Sequence, residues 1–292
     1  MEQVQKRKEK GNLARALYRF RHNPLSLIGL GIILTMTLVA VFAQSIAPYP
    51  EDAKGAVHFK SKFQPPSRTH LFGTDEAGRD LFSRCVYGAR TSLMLGVVVL
   101  SLAVGVGIPL GLLAGYFGGK VETLIMRITD IFLSIPPLVL VLTVTAVLEQ
   151  SLRNAMFAMA FTWWPWFARL AYGETLSKKE EYYVEVSQSL GASPFYIMFR
   201  EILPNMTSPI IVKVTLDMGY AILTGAALGF LGLGAQPPTP EWGTLVSIGR
   251  NYLPKMWWLS TLPGLAIFVT VLGFNLLGDG LRDFFDVEVE QW

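Results

Sequence analysis

Two stretches of this chain, 22–50 and 91–119, run 29 residues each without one Asp, Glu, Lys or Arg. A hydrocarbon layer about 30 Å thick is crossed by roughly 20 apolar residues at 1.5 Å each, so either stretch is long enough to span a membrane. The rest of the 292 residues fits the same setting. The chain is 51% hydrophobic and only 16% charged, too oily and too poor in charge for an ordinary soluble domain of this length.

Six apolar windows can be drawn, and an all-α polytopic membrane protein with six transmembrane helices is expected. They run about Pro24 to Ala47, Thr91 to Phe117, Val121 to Leu148, Arg153 to Tyr172, Ser208 to Gly234 and Met256 to Gly278. The third carries Pro136 and Pro137 at its middle, where a kink is expected because proline removes backbone donors. In the fourth, Trp163, Trp164 and Trp166 suit a membrane-interface belt. The first 23 residues hold Lys6, Arg7, Lys8, Lys10, Arg15, Arg19 and Arg21, a basic run that stays cytoplasmic by the positive-inside rule. Six spans then place both termini inside, with 48–90 as an extracytoplasmic loop, 91–281 as the core transmembrane domain and 282–292 as a cytoplasmic tail. A cleaved signal peptide is the competing reading of the first span. The long apolar run and the extended basic region before it disfavour that reading.

Chemistry of the enzymatic kind is missing from the sequence. His22, His58 and His70 stand apart from any Cys or acidic cluster, so no zinc spacing exists and no metal site is expected. The stretch GYFGGKVE has the wrong spacing for a phosphate loop, and Val121 stands where Ser or Thr would coordinate magnesium. No catalytic residue and no cofactor-binding residue is assigned, and nothing suggests nucleic acid as a partner. The single Cys85 is expected to pack as a small apolar side chain. Arg127 and Asp130 are spaced for a local pair, as are Lys213 and Asp217. All lie in or near spans, where ionisable groups are expensive, so Arg127, Asp130 and Asp217 are also candidate intramembrane polar residues. Gly107, Gly111 and Gly115, and likewise Gly225 and Gly229, repeat at every fourth position and let helix backbones approach closely.

One polar segment interrupts the apolar windows: EEYYVEVSQSLGASPFYIMFREILPN, Glu180 to Asn205. It reads as a helix over about Lys179 to Leu190, a turn at Gly191, and a second helix capped by Ser193, started by Pro194 and stopped by Pro204. Tyr183, Val186 and Leu190 form one apolar stripe, and Phe195, Met198, Phe199 and Ile202 another. Glu185 is expected toward the C-terminal half of the first helix, where it gains nothing from the helix dipole. Such an elbow suits docking to another protein, and an interfacial helix pair lying on lipid is the other reading.

Glu185, Gly191, Leu203 and Pro204 stand at the spacing of the EAA loop of permease subunits of bacterial ABC importers, with Val186 and Ser187 where that family usually has alanines. Glu201 replaces a usual aliphatic residue. FGTDEAGRDLFSRCVYGARTSL, AGYFGGKVETLIMRITDIFLSIPPL and FLGLGAQPPTPEWGTL resemble stretches of one permease subunit, the C-type, of dipeptide, oligopeptide and nickel importers. Gly225 and Gly229 stand where relatives commonly carry Glu and Ser. The resemblance implies the type I ABC importer permease fold. It also implies a coupling loop, 179–204, in which Tyr182, Tyr183, Glu185, Val186, Ser187, Leu190, Gly191, Ala192, Ser193, Pro194, Phe195, Met198, Phe199, Leu203 and Pro204 meet an ATPase. By the same resemblance the partners are a second, homologous permease, two ATP-binding subunits that hold ATP and Mg, an extracytoplasmic substrate-binding protein, and the lipid bilayer of the cell membrane. The implied cargo is a di- or oligopeptide, with nickel chelates or glutathione-like peptides as the alternative. A secondary transporter or channel, and a membrane scaffold, are the readings from other classes. The few intramembrane acids and the lack of an inverted repeat weigh against the transporter.

Overall fold

The computed structural model describes residues 20–286 together with Tyr18, and most of the basic N-terminal run and the final residues 287–292 lie outside that range. The regular structure of the described residues is helical, and among them the one bridge of β type joins Thr74 to Asp80. Nine helices carry the architecture: α1 (Pro24–Val41), α2 (Leu81–Phe117), α3 (Gly119–Leu133), α4 (Pro137–Val147), α5 (Leu152–Lys179), α6 (Tyr182–Ser189), α7 (Thr207–Phe230), α8 (Trp242–Gly249) and α9 (Trp258–Asp286).

Six spans were expected. Among the described residues four helices, α1, α2, α7 and α9, are long and apolar enough to cross a membrane, and α3 with α4 makes a fifth when counted as one broken span. The expected kink at Pro136 and Pro137 is a full break, with α3 and α4 bent by 89°. Helix α5 has 28 residues and ample length, but Arg153, Arg169, Glu174, Lys178 and Lys179 dilute its apolar character. Three boundaries also move. The second span begins at Leu81 rather than Thr91, the fifth ends at Phe230 rather than Gly234, and the last helix runs on to Asp286, through part of the expected tail.

The chain divides into two compact units, one of Met1–Val97, Leu148–Ala155 and Thr215–Trp292, the other of Val98–Val147 and Met156–Val214. In the first, α1 starts at Asn23, whose side chain accepts from the amides of Leu25 and Ser26 ahead of Pro24 at the first helical position. Small residues seat α1 against α9: a Cβ on Gly29 would lie 2.9 Å from Leu276 Cβ, and one on Gly273 2.6 Å from Ile32 Cγ2. The opposite side of α1 leaves Leu27, Leu34 and Leu38 exposed, as a lipid-facing helix does.

Helix α2 begins ten residues early because the preceding loop is an ordered knot of buried carboxylates. Asp75 accepts from the amides of Ala77 and Arg79 and pairs with the guanidinium groups of Arg79 and Arg84. Asp52 bonds His58 at 2.9 Å and the amide of Asp80 at 2.7 Å, while Asp80 bonds His70 at 2.9 Å and the amide of Ser83 at 2.7 Å. Each buried charge is met by a donor or an opposite charge, the condition under which burial is tolerated. The last ten residues of the expected loop therefore belong to the helix. Cys85 is buried, as expected, and its carbonyl accepts from Trp242 Nε1 at 2.9 Å.

Gly225 and Gly229 face packed protein within this unit. A Cβ on Gly225 would lie 2.7 Å from Leu95 Cδ1, and one on Gly229 3.0 Å from the amide nitrogen of Thr244. Beside Gly229 lies the buried Glu241, which caps α8 by accepting from the amides of Gly243 at 2.8 Å and Thr244 at 2.9 Å. Burial holds its carboxyl above the ordinary carboxylate range despite those bonds.

In the second unit the Gly107, Gly111 and Gly115 repeat lets α2 press on α5. Cβ atoms there would meet Phe167 Cβ at 2.7 Å, Ala171 Cβ at 2.6 Å and Thr175 Cβ at 2.7 Å. The expected Trp belt is only partly outward. Trp163 is buried, Trp164 packs edge-on to Phe132, and Trp166 is exposed.

Candidate functional site

The polar segment folds as an elbow, and its corner follows local rules. Helix α6 ends in a Schellman motif: the amide of Ala192 donates to Ser187 O and that of Gly191 to Gln188 O, each at 3.0 Å. Gly191 takes the left-handed conformation this requires, with φ of 81°. Ser193 then caps the second arm by accepting from the amide of Tyr196 at 3.3 Å, with Pro194 at the first helical position.

Both arms depart from the expected outline. Helix α6 starts at Tyr182, because Lys179 is the last residue of α5, where its ammonium donates to Tyr116 O at 2.6 Å. Glu185 therefore lies in the first turn of α6, where the helix dipole favours a carboxylate, rather than in its C-terminal half. Nor does Pro204 stop the second arm, which runs through Pro194–Tyr196, a π-helical Ile197–Ile202 and Leu203–Asn205. A π turn has already shifted the hydrogen-bond register when Pro204 arrives, so the missing N–H breaks no regular α-ladder. Asn205 Nδ2 also donates to Glu201 O at 2.6 Å.

Burial splits the expected stripes. Val184, Ile197, Met198, Ile202 and Met206 point inward and are fully buried. Tyr182, Tyr183, Val186 and Leu190 of the first arm, with Phe195, Tyr196 and Phe199 of the second, are exposed. Of the expected apolar positions, only Met198 and Ile202 anchor the elbow; the others form an exposed aromatic and aliphatic surface. Glu185, Gly191, Ser193, Pro194 and Pro204 are also exposed, while Ser187, Ala192 and Leu203 are half-buried. Ser187 Oγ donates to Glu201 Oε1 at 2.5 Å, which ties one arm to the other. Burial, and then the carboxylates of Glu181 and Glu201, push the Tyr183 phenol above its ordinary value.

One of the two local pairs expected from sequence spacing is replaced by a longer-range one. Asp130 pairs with Arg169 of α5, not with Arg127, which is exposed. Toward the start of α3, Tyr172 OH donates to Glu122 Oε1 at 2.5 Å. Asp217 is buried, and Lys213 lies 5.7 and 5.9 Å from the ring centroids of Trp166 and Phe167. Sequence reasoning missed Arg169 and Lys179. Arg169 was visible as the only charge following Arg153 in the fourth apolar window, but its partner lies 39 residues away. Among the described residues no group of three His, Cys, Asp or Glu side chains could hold a metal ion.

Comparison with known proteins gives these features a setting. The family described as "Binding-protein-dependent transport system inner membrane component" matches residues 107–291, and "N-terminal TM domain of oligopeptide transport permease C" matches 12–66. The chain is 44% identical to a probable D,D-dipeptide transport system permease protein of Escherichia coli (strain K12), over 94% of this chain and 91% of that protein. It is 41% identical to a dipeptide transport system permease protein of Haemophilus influenzae, covering 94% of each. A glutathione transport system permease protein of Escherichia coli O6:K15:H31 is 43% identical, over 93% of this chain and 89% of that one. A solved inward-facing conformation of the MetNI methionine ABC transporter shares the fold with a TM-score of 0.57 at 21% identity, over 70% of this chain and 96% of that chain.

Proposed function

The chain belongs to the family of binding-protein-dependent transport system inner membrane components, and from that premise we propose that it forms one half of the translocation pathway of an ATP-driven peptide importer. It is a transport permease rather than a catalyst. A homologous permease supplies the other half, two ATPase subunits hold ATP and Mg, and an extracytoplasmic protein delivers a di- or oligopeptide. Both termini and the elbow lie on the cytoplasmic side of the cell membrane.

The elbow carries this reading. Its inward residues anchor it while Tyr182, Leu190, Phe195 and Phe199 stay exposed, a packed mount for an apolar docking face. A water-facing patch of this kind marks an interaction site. Closure of the ATPases on ATP draws the two elbows together, and α5 and α7, which enter and leave the elbow, transmit that movement to the spans. Hydrolysis reverses it, so the cavity opens alternately outward and inward. Glutathione-like peptides are the second cargo reading, favoured by the 43% identity to a glutathione permease. Co-purification of this chain with a second permease and the ATPases, followed by an ATPase assay with and without cargo-loaded binding protein, tests the proposal. Stimulation by the loaded binding protein supports it. Uptake that survives ATP depletion but collapses with the ion gradient replaces it with a secondary transporter.

A further inference from the structure

The segments 48–80 and 250–257 are stitched together, and between them they sort charge by sign. Tyr252 OH donates to Glu76 Oε2 at 2.7 Å, and the Phe63 and Tyr252 ring centroids lie 4.7 Å apart. The two segments therefore lie side by side in one unit, wherever the membrane boundaries fall. Their acids are turned away from the surface or bonded. Asp52, Asp75 and Asp80 are buried, Glu76 is held by Tyr252, and the exposed Glu51 pairs with Lys54 at 3.0 Å. Their bases do the opposite. Arg79 is buried against Asp75, and the Arg250 guanidinium lies 4.5 Å from the Phe230 ring centroid. Lys60, Lys62, Arg68 and Lys255 are exposed, with no acidic partner among the described residues. Aromatic surface accompanies them: the Lys62 ammonium lies 4.5 Å from the ring centroid of Phe59, which is 71% exposed, and the exposed Trp257 follows close after Lys255.

Resting on the importer reading above, in which both segments face outward from the cell, we propose that they form a basic landing face for an acidic surface of the extracytoplasmic substrate-binding protein. Ordinary solvated surface mixes both signs, whereas here the acids are buried or bonded and four cations are left showing. An outer loop keeps such cations against the bias that draws Lys and Arg to the cytoplasmic side. Like charges gathered in this way steer an oppositely charged partner into its encounter, and Phe59 and Trp257 supply apolar contact once it has landed. Anionic lipid is the poorer fit. It attracts juxtamembrane runs of Lys and Arg on the cytoplasmic side, and these four are dispersed over two folded segments. Water-exposed charge pairs are individually weak, so a partner held by them is also released, as repeated delivery of cargo requires.

The test uses the assembled complex in nanodiscs and the binding protein whose addition stimulates its ATP hydrolysis. If no binding protein stimulates hydrolysis, the importer reading falls and this proposal with it. Affinity of the fluorescently labelled binding protein for the complex is then measured by anisotropy at about 50 and 300 mM NaCl. Wild-type binding should weaken with salt. Lys62→Glu and Lys255→Glu should each weaken it roughly threefold to tenfold at low salt and flatten the salt dependence, while Lys62→Arg and Lys255→Arg bind as wild type. Lys120→Glu, an equal charge reversal at an exposed position of α3, should leave the affinity unchanged. Reversals at 62 and 255 that bind as wild type overturn the proposal, and so does equal weakening by Lys120→Glu, which would assign the effect to net charge. Weakening seen only in nanodiscs that contain phosphatidylglycerol, and absent in phosphatidylcholine alone, would show that the face reads lipid headgroups and would also overturn it.

Discussion

Ser187 donates a hydrogen bond to Glu201 across the corner of the elbow, and Glu201 keeps its other carboxylate oxygen buried without a partner. A half-satisfied acid is sensitive to the loss of its only side-chain donor, because the whole desolvation penalty then appears. Ser187→Ala is expected to destabilise the protein by about 1–3 kcal/mol. The double variant Ser187→Ala/Glu201→Leu removes both polar partners and should recover most of that loss. Thermal unfolding followed by tryptophan fluorescence at one fixed scan rate checks both. A double variant no better than the single would mean that the Glu201 carboxylate has another source of stabilisation.

Gly191 offers a cleaner test of backbone geometry, since an added Cβ meets nothing within 4 Å and only its φ of 81° resists substitution. An L side chain in this conformation costs roughly 1–2 kcal/mol, least for Asn. Gly191→Asn should transport nearly as wild type. Gly191→Val should lower uptake severalfold or more while basal ATP hydrolysis persists or the ATPases detach. Uptake per ATP hydrolysed, measured in proteoliposomes, separates the variants, and equal coupling in both would remove the corner from the mechanism.

The corner was legible in the sequence because Gly191, Ser193 and Pro194 act through bonds to residues within a few positions. What escaped depends on distant partners. Helix α5 runs on to Lys179, whose ammonium reaches Tyr116 O 63 residues away, so α6 starts at Tyr182 and Glu185 falls in its first turn. Helical spacing paired Asp130 with Arg127, whereas packing of α3 beside α5 delivers Arg169 instead. The early start of α2 likewise depends on Asp75 and Asp80, polar residues that in the sequence alone resemble a solvated loop. Every apolar window holds a helix, but α5 falls short of a span's apolar character because charges share it, and the third window is bent by 89° at its prolines.

Glu185 is exposed at the first turn of α6, so two effects overlap in it: attraction to the positive helix end, and contact with a docking partner. Glu185→Gln removes both charge effects, and Glu185→Lys reverses them. A docking role predicts that uptake and loaded-binding-protein-stimulated ATP hydrolysis fall together by roughly an order of magnitude in the Lys variant, the scale of one lost charge-assisted contact. The Gln variant should fall between. Cargo affinity of the binding protein should not change, and normal uptake in both variants would reduce Glu185 to a helix-end charge.

Topology is checked with cysteines at exposed sites. Gly55 is a poor choice, with φ of 105° and Pro238 Cβ 2.9 Å from an added Cβ, whereas Pro66 and Glu180 are exposed. A membrane-impermeant maleimide should label Pro66→Cys in spheroplasts and leave Glu180→Cys untouched until the membrane is opened. Labelling at 180 in sealed cells would put the elbow on the wrong side for any cytoplasmic ATPase.

Glu241 links the fold to pH. Its carboxyl is raised above the ordinary value by burial, while in the unfolded chain it titrates normally. The folded state therefore holds the proton more tightly, and the stability this group contributes is present in full below its ordinary value near 4.5 and lost as pH rises through the raised folded value. Glu241→Gln keeps an acceptor for the amides of Gly243 and Thr244 without the charge. It should be at least as stable as wild type at pH 7.5, and should gain less than wild type on acidification to pH 5.5. Glu241→Ala loses the cap and should fall by about 0.5–2 kcal/mol. Unfolding temperatures of the three proteins at the two pH values decide the matter. A glutamine variant that keeps the full pH response would assign that response to another group.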